Sequence, residues 1–320
     1  KDGKITSYRI KVYKGRDSDG KRLKPYTMTF KPDPKWSEQK AAKEAQKAAV
    51  IFEQQCKEGS VINEKQKFGP YARYVIKLKE RNGQLKHKTI QRYNELMMRI
   101  EPAIGHIFLP DLRPQHLNKF YAQLSQDGMN LKTGGSLSAK TILEYHRLIH
   151  MVLKQADKEM LVLYNAADKA TTPKTKKKTV NYYETKEIKR IRRYLKFDTK
   201  MWQIAILLMM NSGARRGEIG GVMIKDFDFE NDTVHFQRNL LYSAEKGVFI
   251  DTMKTESADR YNILPHYLMQ MIYDYSLELK ANVQKLGTYW NDTGFLFTQD
   301  NGLPLHPDTF TSHCSDFSKR

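Results

Sequence analysis

The chain has 320 residues, enough for two or three ordinary domains, and its 55 Lys and Arg against 36 Asp and Glu leave a formal charge of +19. A hydrophobic share of 40% excludes a disordered basic tail, and the charge points to a polyanionic partner, because clustered Lys and Arg gain by releasing phosphate counterions. The longest apolar run, 204–210, is far short of the roughly 20 residues that span a bilayer. The first residues show no signal-peptide pattern, and two distant cysteines, Cys56 and Cys314, make neither a disulfide framework nor a zinc knuckle. A soluble protein of the cytoplasm or nucleoid, with no metal, cofactor or membrane, is expected.

The charge is uneven along the chain. The first 200 residues carry an excess of +23, whereas 201–320 carry 11 basic and 15 acidic groups. The parts that grip a polyanion therefore lie upstream of a near-neutral module.

Strand-like alternation over 7–13 and 26–30, separated by a turn-rich stretch, predicts a small hairpin or three-stranded sheet with Lys and Arg among aromatics. Pro32 and Pro34 end it, and a helix is expected over 36–57. A stability module and a nucleic-acid contact are both open for this sheet. Amphipathic helices follow over 68–79, 88–100, 113–126 and 138–157, a small bundle broken at Asn82-Gly83, Pro102, Gly105, Pro110 and Gly134-Gly135. Two of its helix starts pair lysine with threonine: Lys86, Lys88 and Thr89, and Lys140 with Thr141. Such starts suit phosphate gripping, although ordinary N-capping explains Ser and Thr equally well. Arg92 and Arg147, on the same helices, join them as candidate DNA contacts.

Residues 165–183 read as a linker carrying Lys174, Lys176, Lys177 and Lys178, either a solubilising tether or a strap along a phosphate backbone. Beyond it, a helix over 185–196 begins at a Thr N-cap, and a helix over 201–211 is apolar enough to be surrounded on all sides. Strands are expected over 233–239, 247–253, 260–264 and 294–298, a helix over 267–286, and a last helix from Pro307.

Two elements carry chemistry. In Ser212-Gly213-Ala214-Arg215-Arg216-Gly217-Glu218, glycine suits a helix end followed at once by a new helix, with Arg215 in its first turn awaiting an anion. Glu218 sits one turn on, placed to orient a guanidinium, whereas Arg216 reads as surface. The second element, 251–260, is a polar turn between two strands bearing Lys254; a lysine there usually does no more than stay solvated, but it could also donate a proton to a leaving alkoxide. Arg238 and Arg260, on the flanking strands, are further candidate DNA contacts.

The first element resembles the T-G-x-R-x-x-E motif of tyrosine recombinases, the phage and conjugative-transposon integrases, and 253–260 resembles their P-K-T-x-x-S-x-R hairpin, with Met253 in place of proline. The two key residues are 39 positions apart, as suits that family. The resemblance implies a multidomain, mainly α fold with small β-sheets: an arm-binding-like sheet plus helix over 1–64, a SAM-like helical core-binding domain over 65–164, a linker, and a mixed α/β catalytic domain over 184–320. It implies a tyrosine attacking a DNA phosphate, Arg215 holding a nonbridging oxygen, Glu218 holding the geometry and Lys254 protonating the leaving 5′ oxygen, with no metal. Double-stranded DNA, a tetramer on two duplexes and an accessory directionality protein are the implied partners. The family's H-x-x-R motif and tyrosine are not found: Cys314, Ser315 and Asp316 follow His313, and no tyrosine follows Tyr289. A C-terminally truncated chain that binds DNA without cleaving it is therefore expected. A non-catalytic architectural or regulatory DNA-binding protein on the same fold is the alternative; an RNA-binding protein is disfavoured, since no RNA-module motif is found.

Overall fold

The computed structural model describes residues 5–16, 19–57, 66–175, 179, 181–252 and 258–319, and the chain divides into two compact units, Lys1–Lys178 and Thr179–Arg320. In the first, β1 (Tyr8–Val12) and β2 (Tyr26–Phe30) pair antiparallel with Ile10 opposite Met28. Period-two alternation puts Tyr8, Ile10, Val12, Tyr26, Met28 and Phe30 on a half-buried face and Arg9, Lys11, Thr27 and Thr29 on the exposed one. Two strands alone are marginal. Helix α1 (Glu38–Lys57) packs on both and buries Ala41, Ala45, Phe52 and Cys56.

Helices α2 (Phe68–Arg81), α3 (His87–Ile100), α4 (Pro114–Leu124) and α5 (Ala139–Lys158) follow the expected apolar stripes. Their core includes Phe68, Val75, Leu96, Met97, Leu117, Leu148 and Val152. The break expected at Pro102 is instead a π-helical turn, Glu101–Gly105, that continues α3 with the proline near its start. The expected linker also begins later than 165. Asn165 caps a 3-10 turn, Ala166–Lys169, and donates to the His150 carbonyl at 3.2 Å, while Ala166 and Ala167 enter the bundle core. Thr171 N–H then donates to Asn118 at 2.8 Å, so the bundle holds the chain as far as 171.

In the second unit α6 (Thr185–Leu195) is capped by Glu184 and not by Thr185; the Glu184 N–H donates to Glu187 at 2.7 Å. Helix α7 (Lys200–Ser212) buries Ile204, Ala205, Ile206, Leu207 and Leu208, but its last turn opens, with Met210 39% exposed. Gly213 closes it at φ 61°, a left-handed conformation that glycine adopts without steric penalty, and the chain turns directly into α8 (Arg216–Gly221).

Among the described residues, β3 (Phe227–Asp228), β4 (Thr233–Phe236) and β7 (Arg260–Ile263) form one antiparallel sheet in that order, and β5 (Arg238–Ser243) pairs with β6 (Gly247–Thr252) in another. The strand expected over 233–239 thus splits at Gln237, where the chain changes partners. At that point buried Asp226 holds both side chains, its carboxylate accepting from Gln237 at 3.0 Å and pairing with Arg238. The expected turn at 253–257 lies outside the described residues, and the strands on either side of it, β6 and β7, belong to different sheets. The expected strand over 294–298 makes only bridges, Phe295 to Met223 and Thr298 to Pro304, because Phe295, Leu296 and Phe297 are an apolar core segment with no long partner strand.

Helix α9 (His266–Leu286) packs on α7. Helix α10 (Pro307–Ser318) buries Phe310 and is tied back by His313, which stacks on Trp202 at 3.9 Å and bonds Asp198 at 2.7 Å. No helix among the described residues is long and apolar enough to cross a membrane.

Candidate functional site

Helix α8 lies pressed on β5. A Cβ at Gly217 would come within 1.8 Å of Asn239 Oδ1 and 3.0 Å of the Leu240 carbonyl, so only glycine allows this approach. The close packing fixes the turn between α7 and α8, and with it Arg215. Arg215 is the N-cap of α8 (φ −70°, ψ 152°), one position before the expected first helical turn. Its backbone N–H donates to Glu218 Oε2 at 3.0 Å and its guanidinium to Glu218 Oε1 at 2.7 Å. The glutamate thus reaches back over the helix start as in a capping box.

Arg260 enters from β7 and donates to Glu218 Oε2 at 3.0 Å. One carboxylate, 3% exposed, therefore lies between two guanidiniums, with Arg215 68% and Arg260 28% exposed. Burial pushes the Glu218 carboxyl upward, but the hydrogen bonds from the Arg215 backbone, the Arg215 side chain and Arg260 outweigh it and hold it below the ordinary carboxylate value. Two cations on one anion leave one positive charge in excess, and Arg215 carries it to solvent. An oriented guanidinium with free donor edges is a phosphate-binding arrangement.

The other expected site residues divide sharply. Lys254, like Lys176, Lys177 and Lys178, lies outside the described residues. Arg238, expected on DNA, is turned inward: its side chain is 14% exposed and paired with Asp226, itself 1% exposed. Arg260 is likewise committed inward, to Glu218 and to the Ala258 carbonyl at 3.1 Å. Arg216, read as unpartnered surface, instead bonds Asp308 at 2.6 Å and Thr311 at 3.0 Å on α10.

In the bundle, Arg92 is held by Glu144 at 2.8 Å and Glu95 at 3.0 Å. Since Arg92 and Glu144 each lie in the second turn of their helix, that pair sets the starts of α3 and α5 side by side. At these starts Lys88 and Lys140 are exposed and Lys86 and Thr89 half-buried, and Arg147, more than two turns into α5, is also exposed. Lys88 reaches Gln91 at 3.2 Å. At α5 ordinary capping accounts for the serine and threonine: Thr141 N–H donates to Ser138 Oγ at 3.2 Å. At α3 the N-cap, Lys86, makes no side-chain cap. Lys174 is exposed beyond the bundle.

Two contributors escaped the sequence reading, Asp226 and Asn262. Asn262 donates to the Ser212 carbonyl at 3.3 Å, and the available signal was the alternation along β7, where Arg260 and Asn262 face in and Tyr261 and Ile263 face out.

No protein-family model matches the chain. It is 28% identical over 141 residues to the transposase from transposon Tn916 of Enterococcus faecalis and to the transposase from transposon Tn1545 of Streptococcus pneumoniae. The match covers 44% of this chain and spans only 28% of the length of each relative. Among solved structures, the Tn1549 transposon integrase in complex with a circular intermediate DNA aligns with a TM-score of 0.60 at 20% identity, over 78% of each chain. A lambda integrase dimer bound to a COC′ core site aligns at 0.52 and 12% identity, over 100% of this chain and 81% of that one. The chain thus has the multidomain, mainly helical fold of the tyrosine recombinase integrases, the family that its two motifs resemble.

Proposed function

We propose that the protein is a site-specific DNA recombinase of the integrase type, acting on the ends of a mobile element. One observation carries this reading: an exposed Arg215 guanidinium, oriented by a buried glutamate, on the turn where the motif requires it, in a fold shared with integrases solved on DNA. Arg215 would hold a nonbridging oxygen of the scissile phosphate and stabilise the charge that grows there. Glu218 keeps the guanidinium turned to that oxygen. A tyrosine hydroxyl would attack phosphorus while the bond to the 5′ oxygen breaks, and Lys254 would supply the proton to that oxygen. The phosphotyrosyl bond conserves the energy for rejoining, so neither a nucleotide nor a metal ion is called for. None of the 320 residues is assigned as this nucleophile, since no tyrosine follows Tyr289.

The basic starts of α3 and α5, with Lys86, Lys88, Thr89, Lys140, Thr141 and Arg147, would supply phosphate contacts in the core-binding part, and Lys174 would extend them. The exposed sheet face of Arg9, Lys11, Thr27 and Thr29 suits an arm-site contact. A tetramer on two duplexes and an accessory directionality protein belong to the same proposal; the lambda integrase has been solved as a tetramer bound to a Holliday junction.

The reading is tested by incubation with nicked suicide duplexes followed by denaturing electrophoresis. The 320 residues should bind duplex DNA without a covalent adduct, and a form that includes a family-type C-terminal tyrosine should give one. Preference for structured RNA over duplex, or no adduct from the tyrosine-bearing form, would contradict it. A second reading, a DNA-binding protein without chemistry on the same fold, predicts that Arg215→Lys changes no measured activity.

A further inference from the structure

The segment 212–218 is gripped at both ends by one strand. On β7, Arg260 and Asn262 are two positions apart and so share a face of the sheet. Arg260 holds the far end of the segment, donating to Glu218 at 3.0 Å, while its other terminal nitrogen donates to the Ala258 carbonyl and its Cζ lies 5.2 Å from the Phe236 ring centroid. Asn262 holds the near end, donating to the Ser212 carbonyl at 3.3 Å. Ser212 is itself fixed, its hydroxyl donating to the Leu208 carbonyl at 2.6 Å and accepting from Ala214 N–H at 3.1 Å. The strand behind both residues is paired to β4: Arg260 lies opposite Phe236 and Asn262 opposite Val234, and both partners are buried. The other end of the Asn262 amide, Oδ1, is buried with no partner among the described residues, an arrangement that bare packing would not favour.

We propose that β7 is a two-point clamp in which Arg260 and Asn262 are positioning residues for Arg215, and that neither touches DNA. The inference rests on the reading of Arg215 as a phosphate ligand. Asn262 fixes where the turn leaves α7, and Arg260 fixes the carboxylate that aims the guanidinium. Arg215 between them has little freedom except to present its outer edge. Lysine cannot replace Arg260, because a single ammonium cannot hold Glu218 and Ala258 in the geometry of a planar fork.

The test is the salt dependence of binding to a mixed-sequence duplex, measured on the full chain. Arg215→Ala should lower the slope of log affinity against log salt by about 0.9, one phosphate contact. Asn262→Leu, which changes no charge, and Arg260→Lys, which keeps it, should each lose part of that same increment. Neither should lose anything further in the Arg215→Ala background. Asn262→Ala replaces Asn262→Leu if thermal unfolding shows that leucine costs the fold. Additive losses, an unchanged slope in Arg260→Lys, or a lowered melting temperature with the slope intact would overturn the clamp while leaving Arg215 on the phosphate. An Arg215→Ala variant with an unchanged slope would overturn both readings.

Discussion

The bundle and the Arg215 turn both present basic residues, but they are built in opposite ways. On α3 and α5, Lys88, Lys140 and Arg147 stand in water on long side chains, and another arginine, Arg92, is occupied by two surface carboxylates. Around α8, three arginines are drawn to buried carboxylates, Arg215 and Arg260 to Glu218 and Arg238 to Asp226, while Arg216 pairs with the exposed Asp308. Flexible exposed charge gives affinity by counterion release and asks for no fixed geometry. A charge meant to sit on one oxygen of one phosphate needs its direction set in advance, and that requires desolvating a carboxylate to hold it. The uneven charge along the chain fits this division, since the near-neutral segment is where positive side chains are matched by internal acids.

The contrast can be broken from either side. The largest effect is expected at Asp226, fully internal and bonded to the Met223 N–H at 2.7 Å, to Gln237 and to Arg238. Asp226→Ala should cost about 4 kcal/mol in urea unfolding, because it strands a buried guanidinium. Glu218→Ala should cost less, about 3 kcal/mol, since Arg215 is already open to water. Because its folded-state carboxyl lies below the ordinary value, the stability that Glu218 contributes is present above that value and lost as pH falls through the lower folded one. Glu218→Gln should therefore flatten the acid limb of the unfolding profile, and an unaltered limb would place the acid sensitivity elsewhere.

At the other extreme, Lys88→Ala with Lys140→Ala should change stability by no more than about 0.5 kcal/mol. The pair should nonetheless weaken duplex binding and lower the salt slope by about 0.9 for each lysine in contact. A stability loss comparable to that at Glu218 would erase the distinction between the two regions.

Much of the frame was legible from periodicity. The helices over 68–79, 88–100 and 267–286 appear as α2, α3 and α9 within a few residues, because an apolar stripe at three and four leaves a helix little alternative. Arg215 and Glu218 were legible as a pair because their spacing is local, less than one helical turn. What was hidden depends on partners distant in sequence. Arg216 looked free until Asp308 met it from α10, and Arg238 looked like a DNA contact until Asp226 took it. The strand over 233–239 looked continuous because nothing local marks Gln237 as the point where the chain leaves one sheet for another. Arg260 was read as a candidate DNA contact, and its bond to Glu218, 42 residues away, was not legible from the strand that carries it.

The central claim is that Arg215 is the arginine offered to DNA, and its adjacent namesake supplies the control. Arg215 and Arg216 share charge and sequence neighbourhood, but the first is aimed outward from Glu218 and the second is bound to α10. Measured by salt-dependent duplex binding, Arg215→Ala should lower the slope by about 0.9 and Arg216→Ala should leave it unchanged. Equal losses from the two variants, or a loss from Arg216→Ala alone, would contradict the account.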